Sequence, residues 1–502
     1  MTIADLLARA QALMPQGTVQ ASTVTGTAAG PCAGVTSDSR QVMPGSIFVA
    51  LRGQNVDGAR FIDEALSAGA AAIVSELSTS APGMSWLEVT NARVALAYLA
   101  AEFYEHPSQQ LKVIGITGTN GKTTTSYLVR AIVEASGTRC GLLGTVGHLI
   151  GDRPVASART TPEATDVQRL LRDMVKEGCG ACVMEVSSHA LALSRVDAMR
   201  FSAAVFTNLT RDHLDFHADM ESYFAAKRRL FEQLPQDAPA VVNADDPRGT
   251  SLVGFGAKTV TYAITKAADI MPGPLTFSVE GLTFDVTTPV GTVRVRSKLV
   301  GKVNVYNILA AIGTAVALGL PVSAIEQGLS SLAGVPGRFE VVSEPRDGVS
   351  VIVDYAHTDD ALRNLLETAR TLGGRRLITV FGAGGDRDRA KRPLMGMVAA
   401  RLSDVVVITS DNPRSEDPMR IIEEVSLGAV PEKRRGVQVE TISDRRDAIH
   451  AAIAWAGPGD IVLIAGKGHE KYQEIAGRTL PFDDAAVARE ALAARRLKAR
   501  VG

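Results

Sequence analysis

Short, continuous apolar runs alternate with helix-like segments along most of the chain. In the central part these runs are residues 113–116, 181–185, 203–207 and 240–243. Apolar runs of this length between helical segments are typical of parallel strands buried on both faces. The pattern therefore predicts an α/β fold whose central sheet is parallel and covered by helices on both sides.

A second α/β series begins after Gly337. Its strand-like runs are residues 350–353, 376–381, 404–409 and 460–465, and each leads into a loop with polar residues. This series predicts a separate, Rossmann-like sheet. The part of the chain before about residue 108 mixes shorter strands and helices, which predicts a small α/β unit.

The chain length of 502 residues favours about three domains. We therefore predict an α/β protein with a small N-terminal α/β domain, a central parallel-sheet domain and a Rossmann-like C-terminal domain. The predicted boundaries are 1–107, 108–335 and 336–502.

Composition and charge narrow the class of protein. The formal net charge is −1, so no basic surface indicates binding to nucleic acid or to an anionic membrane. The longest apolar stretch, residues 308–320, is too short to span a bilayer, and we expect no signal peptide. Cys179 and Cys182 lie in an apolar run, where buried thiols are expected rather than a metal or redox site. These features predict a cytoplasmic protein without membrane insertion.

The segment from Lys112 to Thr125 predicts a nucleotide site. It consists of a short apolar strand, a Gly-rich turn, and a lysine and threonines that open a helix. Backbone N–H groups in such a turn and at the helix start converge on phosphate oxygens. Lys122 can reach the terminal phosphates, and the Thr123 hydroxyl can hold a magnesium ion. The loop departs from the usual P-loop spacing, which has a glycine where this chain has Ile116.

Two further polar clusters follow strands of the central series. Glu185 can ligate magnesium, although it could equally pair with a lysine while Ser187 or Ser188 caps a helix. Residues 207–217 include two histidines and two aspartates, but their spacing is unlike that of zinc sites. We interpret His213 as a contact for a second cation or a phosphate. In the next helix, periodicity alone makes Lys227 an ordinary surface lysine.

The loop after residue 381 contains Gly382-Ala-Gly384, the beginning of a dinucleotide-binding motif. The third glycine of that motif would fall on Arg387, and no acidic residue closes the next strand at Thr409. A nicotinamide-dependent dehydrogenase is therefore disfavoured. Arginine at this place favours a carboxylate-bearing ligand, because a guanidinium group binds carboxylate bidentately.

Together these clusters resemble the motifs of the Mur ligase family, the ATP-dependent amide-forming enzymes of peptidoglycan synthesis. The resemblance covers nearly the whole chain. Asp411-Asn-Pro-Arg414 and Gly466-Lys-Gly-His-Glu470 are similar to motifs of the members that add meso-diaminopimelate. The segments that carry the family resemblance are residues 117–124, 185–189, 208–213, 304–307, 337–340 and 354–357.

The resemblance implies a reaction and its cofactors. ATP would phosphorylate the D-Glu γ-carboxylate of UDP-MurNAc-L-Ala-D-Glu, and the amine of meso-diaminopimelate would attack the acyl phosphate. Thr123 and Glu185 would hold one Mg²⁺, and His213 with a carbamylated Lys227 would hold a second. The implied catalytic residues are Lys122, Glu185, His213 and the carbamylated Lys227. The implied ATP-binding residues are Gly118, Thr119, Asn120, Gly121, Lys122, Thr123, Thr124, Asn304 and Arg338.

The resemblance also implies residues for the other two substrates. Arg414 would pair with the distal carboxylate of diaminopimelate, and Glu470 with its distal ammonium. The implied residues for UDP-MurNAc-dipeptide are Ser37, Ser39, Gln54, Asn55, Val56, Thr160, Thr161, Ser187 and Arg195. Those for diaminopimelate are Arg387, Asp411, Asn412, Pro413, Arg414, Gly466 and Glu470. The partners would thus be small molecules, bound by a monomer whose central and last domains close on substrate.

Two alternatives stay open at this point. The nearer one is another ligase of the same superfamily, either lysine-adding or folylpolyglutamate-type. The other belongs to a different class, a nucleotide-dependent switch that uses the phosphate loop to change partners. Glu185, His213 and the arginines at 387 and 414 have no clear purpose in such a switch.

Overall fold

The protein is described by a computed structural model that covers residues 1–24, 26–53, 56–78, 84–157, 159–278, 281–431 and 436–501. Three main sheets follow one another along the chain. A small antiparallel sheet lies between the second and the third in the sequence, and a two-stranded hairpin follows the last strand of the third. The predicted domain boundaries fall between the main sheets, and the division itself stays a prediction. Among the described residues, no helix is both long and apolar enough to cross a membrane.

The N-terminal sheet has the strand order β1-β5-β4-β3-β2. Its neighbours are parallel except for β1, which is antiparallel to β5. The strands are β1 (Val19–Thr23), β2 (Gly34–Thr36), β3 (Ser46–Val49), β4 (Ala72–Ser75) and β5 (Ser85–Val89). The helices are α1 (Ile3–Leu13), α2 (Ile62–Ser67) and α3 (Ala92–Phe103). Apolar residues of α1 and α3 pack with those of the strands into one core.

The central sheet has the order β13-β12-β11-β6-β10-β7-β8-β9, in which the first six strands are parallel. The strands are β6 (Lys112–Thr117), β7 (Cys140–Leu143), β8 (His148–Ile150), β9 (Arg153–Val155), β10 (Ala181–Glu185), β11 (Ala203–Phe206), β12 (Ala240–Asn243) and β13 (Thr259–Tyr262). The helices are α4 (Lys122–Ala135), α5 (Ala164–Lys176), α6 (Ser188–Ala192), α7 (Met220–Glu232), α8 (Pro247–Thr250), α9 (Lys302–Ala317) and α10 (Val322–Ser331). Separate apolar clusters fill its two faces, which confirms the predicted parallel sheet between helices.

A small antiparallel sheet precedes α9. Its strands are β14 (Met271–Pro272), β15 (Thr276–Ser278), β16 (Gly281–Thr288) and β17 (Gly291–Ser297). Residues along β16 alternate between buried and exposed, and the buried face joins the same core as α9.

The C-terminal sheet has the order β18-β19-β23-β20-β21-β22 and is parallel except for β18. The strands are β18 (Glu340–Val341), β19 (Ser350–Asp354), β20 (Leu377–Phe381), β21 (Val405–Ile408), β22 (Gln438–Thr441) and β23 (Ile461–Ala465), and β24 (Tyr472–Ile475) and β25 (Arg478–Pro481) form a hairpin. The helices are α11 (Asp359–Thr371), α12 (Lys391–Leu402), α13 (Pro418–Ala429), α14 (Arg445–Trp455) and α15 (Asp484–Val501).

The carboxyl ends of the parallel strands matter for the site. In open parallel sheets these ends bind ligands, because loops and helix N-termini converge there. Loops after β6, β11 and β12 line one cavity together with the loop after β19. The central and C-terminal sheets therefore direct their ligand-binding edges towards shared space.

Candidate active site

The loop after β6 has the geometry of a phosphate-binding turn. Gly118 has a φ of +146° and Gly121 a φ of +86°, conformations that L-residues with a side chain rarely adopt. A Cβ on Gly118 would lie 1.9 Å from the Thr207 hydroxyl oxygen. The Thr119 amide donates a 2.8 Å hydrogen bond to the Asn208 carbonyl. Glycine thus lets the loop lie directly against the segment that follows β11.

Lys122 and Thr123 stand at the start of α4, where backbone N–H groups have no intrahelical partner. The Lys122 ammonium donates to the carbonyls of Gly118 at 2.9 Å and Thr119 at 2.8 Å. Burial in the loop lowers the pKa of Lys122. The structure therefore holds this lysine within the turn. A phosphate chain bound there could contact both the ammonium and the backbone N–H groups at the start of α4.

Glu185, at the end of β10, is fully buried, and its carboxylate accepts three hydrogen bonds. The donors are the Thr123 hydroxyl at 3.0 Å, the Thr145 amide at 2.8 Å and the Thr145 hydroxyl at 2.9 Å. Its partners are thus hydroxyls and an amide rather than the lysine that one interpretation of the sequence proposed. Ser187 does cap α6, since its hydroxyl accepts from the Ala190 amide at 3.2 Å.

The donor set at Glu185 suits a hard cation. A carboxylate oxygen and a hydroxyl oxygen 3.0 Å apart are ligands of the kind and spacing that Mg²⁺ takes, with waters completing its shell. Among the described residues, no group of three or more His, Cys, Asp or Glu is placed to hold a metal ion. The two predicted magnesium sites therefore stay predictions, with Thr123 and Glu185 fitting the first.

Lys227 is buried, with a relative exposure of 1%. The interpretation of this residue as a surface lysine, taken from helical periodicity alone, is therefore wrong. Its ammonium donates to the Gly118 carbonyl at 2.8 Å and lies 4.3 Å from the centroid of the Tyr223 ring. Burial, and then the charge of Lys122, lower the pKa of Lys227 well below its usual value. The fold of α7 over the phosphate loop, which no local pattern encodes, produces this burial.

His213 lies beside the same loop in a histidine cluster. Its backbone has a φ of +55°, and its Nε2 lies 3.5 Å from Asp212 Oδ2. His357, from the C-terminal sheet, places its Nε2 3.9 Å from the same oxygen. Burial lowers the pKa of His213. Asp212 and His357 belong to motifs that carry the family resemblance, but no role was predicted for either residue.

A cavity of about 310 Å³ adjoins the phosphate loop. Arg338 donates to the Thr123 hydroxyl at 3.1 Å, and its guanidinium lies 4.6 Å from the centroid of the Tyr355 ring. The Asn120 amide group donates to Asp360 Oδ2 at 3.1 Å, which links the central and C-terminal parts. The predicted ATP residues that line this cavity are Asn120, Gly121, Thr123, Thr124, Asn304 and Arg338.

The residues predicted for the nucleotide-sugar substrate divide into two groups. Ser37 lines a cavity of about 440 Å³ between the N-terminal and central parts, together with Arg159. Ser39 lies in an adjoining pocket. Val56 is exposed and lines neither, while Gln54 and Asn55 lie outside the described residues.

The second group lies beside Glu185. The Thr161 hydroxyl donates to the Glu185 carbonyl at 2.9 Å and accepts from the Ser187 amide at 3.0 Å. Arg195 donates to the Thr161 carbonyl at 3.0 Å. Thr160 and Thr145 place their hydroxyl oxygens 3.0 Å apart. This group is therefore next to the predicted first magnesium site and connected to it by hydrogen bonds.

The residues predicted for the amino acid surround a cavity of about 480 Å³. The Asn412 side chain donates to Glu470 Oε2 at 2.9 Å, and fully buried Lys467 donates to Asn412 Oδ1 at 3.0 Å and to the same Glu470 oxygen at 2.8 Å. Those that line the cavity are Arg387, Asp411, Asn412, Arg414, Gly466 and Glu470, whereas Pro413 is buried outside its lining.

Arg414 is held in place from two directions. Its Nε lies 3.1 Å from Glu474 Oε2, and its Nη1 donates to the Gly385 carbonyl at 2.6 Å. Sequence reasoning missed both Glu474 and Lys467. Lys467 lies between Gly466 and Gly468 and Glu474 lies in β24, but only the fold brings them into contact with the residues that line the cavity.

The same 480 Å³ cavity is also lined from the central sheet, by Thr145, Thr160, Asp212 and His213. Residues predicted for phosphoryl chemistry and residues predicted for an amino acid thus share one space. A sheet edge with a loop of phosphate-binding geometry meets the arginine-bearing edge of a second sheet at one cavity. This arrangement defines the class, a nucleotide-dependent α/β enzyme.

Comparisons with known proteins agree with this class. The chain matches the models of the Mur ligase middle domain over residues 116–315, the Mur ligase glutamate ligase domain over 337–468 and the Mur ligase family catalytic domain over 31–104. The chain belongs to the Mur ligase family.

Individual relatives are similar over nearly their whole length. The UDP-N-acetylmuramoyl-L-alanyl-D-glutamate–2,6-diaminopimelate ligase of Solibacter usitatus is 48% identical over 464 residues, which cover 91% of this chain and 93% of that protein. The protein of the same name from Alkaliphilus metalliredigens is 46% identical over 458 residues, covering 90% and 92%. A solved structure described by that name has 36% identity and a TM-score of 0.66, with coverage of 93% and 96%.

Proposed function

We propose that this protein is an ATP-dependent ligase that adds meso-2,6-diaminopimelate to the D-Glu γ-carboxylate of UDP-MurNAc-L-Ala-D-Glu. The similarity to relatives with this activity in their names supports the proposal. The observation that carries it is the shared 480 Å³ cavity, where His213 and Asp212 face Arg414 and Glu470. A ligase of this kind needs an activated carboxylate and an amine to meet in one protected place.

The chemistry requires two transfers. A γ-carboxylate oxygen attacks the γ-phosphorus of ATP, the bond to the bridging oxygen breaks, and ADP leaves with the electron pair. The amine nitrogen then attacks the acyl carbon, and phosphate leaves with the electrons of the broken C–O bond. A carboxylate is a poor acylating agent until this phosphate makes one oxygen a good leaving group. Because phosphoryl transfer is mainly a matter of positioning and charge, cations around the γ-phosphoryl group should dominate catalysis.

The central sheet supplies the groups for phosphoryl transfer. The loop amides and the start of α4 would bind the phosphates, and Lys122 would turn from the loop carbonyls to the phosphate oxygens. Thr123 and Glu185 would hold Mg²⁺, which neutralises charge on the phosphates when bound. Lys227 is buried 2.8 Å from the Gly118 carbonyl, and its lowered pKa favours the neutral amine. A neutral amine can react with CO₂, so these properties support the proposed carbamylation of Lys227, which would supply a second carboxylate ligand beside His213.

The C-terminal sheet supplies the groups for the amino acid. The Arg414 guanidinium has five N–H groups, and Glu474 and Gly385 bind only some of them. The others are left for a ligand. It would pair with the distal carboxylate of diaminopimelate, and Glu470 with the distal ammonium. Lysine has no such carboxylate and would leave Arg414 without its partner, which is a strong basis for rejection.

The test is an amino-acid panel. The protein is incubated with UDP-MurNAc-L-Ala-D-Glu, ATP and either meso-diaminopimelate, L-lysine or L-glutamate, and phosphate release and product mass are measured. We expect turnover with diaminopimelate and a rate at least ~100-fold lower with lysine. Equal turnover with lysine would contradict the substrate assignment while leaving the ligase activity in place.

An isotope measurement separates a ligase from a nucleotide-dependent switch. With ¹⁸O in the γ-carboxylate, a ligase transfers ¹⁸O into phosphate, whereas a switch that hydrolyses ATP takes that oxygen from water. Sedimentation of the purified protein would test the further proposal that it acts as a monomer, and imaging of a tagged copy would test its location in the cytoplasm.

A further inference from the structure

Lys391 is a buried lysine to which the proposed chemistry has not yet given a role. It is the first residue of α12, is nine-tenths buried, and lines the 480 Å³ cavity. Within the part of the chain that the structure describes, its ammonium makes no hydrogen bond and has no carboxylate oxygen within 4.0 Å. The ammonium keeps exposure to the cavity, and a substrate that displaces water there would leave its charge unfavourably placed unless the substrate supplies a counter-charge. A ligand that carries negative charge would provide the missing partner.

Three carboxylates whose charges act on Lys391 already have other partners. Asp212 accepts from the His213 amide at 2.9 Å, Asp388 pairs with Arg211 at 3.2 Å, and Asp411 lies 3.8 Å from the Lys467 ammonium. Burial lowers the pKa of Lys391, and these carboxylates, with Asp215, oppose that shift. The surroundings therefore offer Lys391 negative charge at a distance but no direct partner.

The place of Lys391 in the cavity indicates which anion it meets. Asp212 and His213 reach the cavity from the central sheet, which carries the phosphate loop. Arg387 and Asp411 reach it from the C-terminal sheet, among the residues proposed for the amino acid. An acyl phosphate must lie between the ATP site and the attacking amine, and so between these two groups.

We propose that Lys391 is a catalytic residue whose ammonium binds the phosphoryl oxygens of the acyl phosphate. The inference rests on the proposed ligase function and deepens it. During aminolysis the N–C bond forms, the C–O bond to phosphorus breaks, and the phosphate leaves with the electron pair while the amine proton passes to solvent. Lys391 keeps its proton throughout and stabilises the charge that collects on the departing phosphate. Lys391 lies in α12, beside the C-terminal sheet, whereas the phosphate loop belongs to the central sheet. Both can stabilise charge on the phosphoryl group only when the two sheets face each other.

The test compares Lys391→Met, which keeps length but removes charge, with Lys391→Arg, which keeps charge. Exposed Lys176, in the last turn of α5, provides the matched control Lys176→Met. Steady-state kcat and the KM of each of the three substrates are measured, together with single-turnover rates of ADP formation and phosphate release. We expect Lys391→Met to lower kcat by ~10²–10³-fold, with each KM within about threefold of wild type. Lys391→Arg should recover at least ~10-fold of that loss, and Lys176→Met should match wild type.

Thermal unfolding distinguishes this role from a structural one. Because the Lys391 ammonium has no partner in the described structure, Lys391→Met should melt no lower than wild type, whereas loss of a structural ion pair would lower the melting temperature. A kcat of Lys391→Met within threefold of wild type would overturn the inference. So would equal impairment of the Met and Arg variants, or a loss confined to the KM values. Absence of UDP-tripeptide formation by the wild-type protein would instead count against the proposed function.

Discussion

The Thr123 hydroxyl donates a 3.0 Å hydrogen bond to the Glu185 carboxylate, although the two residues are 62 positions apart in the sequence. Thr123 lies in the first turn of the helix that follows β6, and Glu185 ends β10, the strand that pairs with β6 in parallel register. Parallel pairing places the carboxyl ends of neighbouring strands at the same edge of the sheet. The phosphate loop and a buried carboxylate therefore share one edge, as a site for nucleotide and cation requires.

The first prediction concerns the charge of Glu185. Glu185→Gln keeps the shape of the side chain and can keep a hydrogen bond with the Thr123 hydroxyl, but it removes the anionic ligand. We expect kcat/KM for ATP to fall by ~10²–10³-fold and the Mg²⁺ concentration for half-maximal rate to rise. A Mg²⁺ titration of ATP turnover measures both effects. An unchanged Mg²⁺ dependence in a folded variant would show that Glu185 is not a ligand.

The second prediction concerns the turn of the phosphate loop. Gly121 has a φ of +86°, and a Cβ there would lie 2.4 Å from Asn307 Oδ1. Gly137 has the same φ, but a Cβ on it would meet no atom within 4 Å. Alanine at either position should cost about 1 kcal/mol of unfolding free energy from backbone strain. Only Gly121→Ala should also raise the KM for ATP, by about tenfold, because it displaces the loop. Parallel denaturation and ATP titrations compare the two variants, and similar ATP affinities would contradict the expectation.

The third prediction concerns the pH dependence of stability. Asp245, after β12, is a partly buried carboxylate that accepts hydrogen bonds from the Ile264 amide at 2.7 Å and the Tyr306 hydroxyl at 2.9 Å. Burial opposes its ionisation, but these bonds and those from residue 265 outweigh it, so the pKa is lowered from 3.8 to about 2. A lowered pKa in the folded state stabilises the fold at pH values above the unfolded pKa, and this stabilisation is lost as pH falls towards 2.

Asp245→Asn should therefore be less stable than wild type by about 1–2 kcal/mol at neutral pH, an amount that allows for partial solvent screening. The difference should shrink between about pH 4 and about pH 2. Urea unfolding of both proteins across this range measures it. A difference that stays constant with pH would mean that the lost stability does not come from the ionised carboxylate.

The fourth prediction concerns Arg414 and amino-acid choice. Arg414→Met should raise the KM for meso-diaminopimelate by ~10–100-fold, because a charge-assisted, bidentate contact is lost. The slow reaction with lysine should change little, so that the selectivity between the two amino acids collapses. Arg420→Ala, on the exposed side of α13, is the control and should leave both reactions unchanged. Undiminished selectivity in the Arg414 variant would place recognition of the distal carboxylate elsewhere.

Local signals account for the parts of the site that sequence predicted. The phosphate loop is encoded within a few residues, because strand, glycine turn and helix start are adjacent in the chain. Glu185 and His213 could be singled out because each follows an apolar run, and strand ends in such sheets carry ligands. Lys227 was misjudged by periodicity, since an amphipathic pattern cannot tell which neighbour covers the polar face.

The residues that sequence reasoning missed depend on contacts between distant segments. Thr145 binds Glu185 from the end of β7, and Glu474 reaches Arg414 only because the β24–β25 hairpin folds beside the cavity. Lys391 resembles any other lysine at a helix start until its burial is known. None of these positions belongs to a short motif with a mechanism of its own.

The sequence by itself determined the α/β class, the nucleotide loop and the resemblance to the Mur ligases, because periodicity and short motifs are properties of neighbouring residues. Only the tertiary structure decided which side chains share a cavity, which lysines are buried, and which carboxylates already have partners. The physical reason is that burial and pairing depend on the packing of whole sheets, and packing joins residues far apart in the chain. The meeting of Asp212 and His213 with Arg387 and Lys391 is a result of that kind.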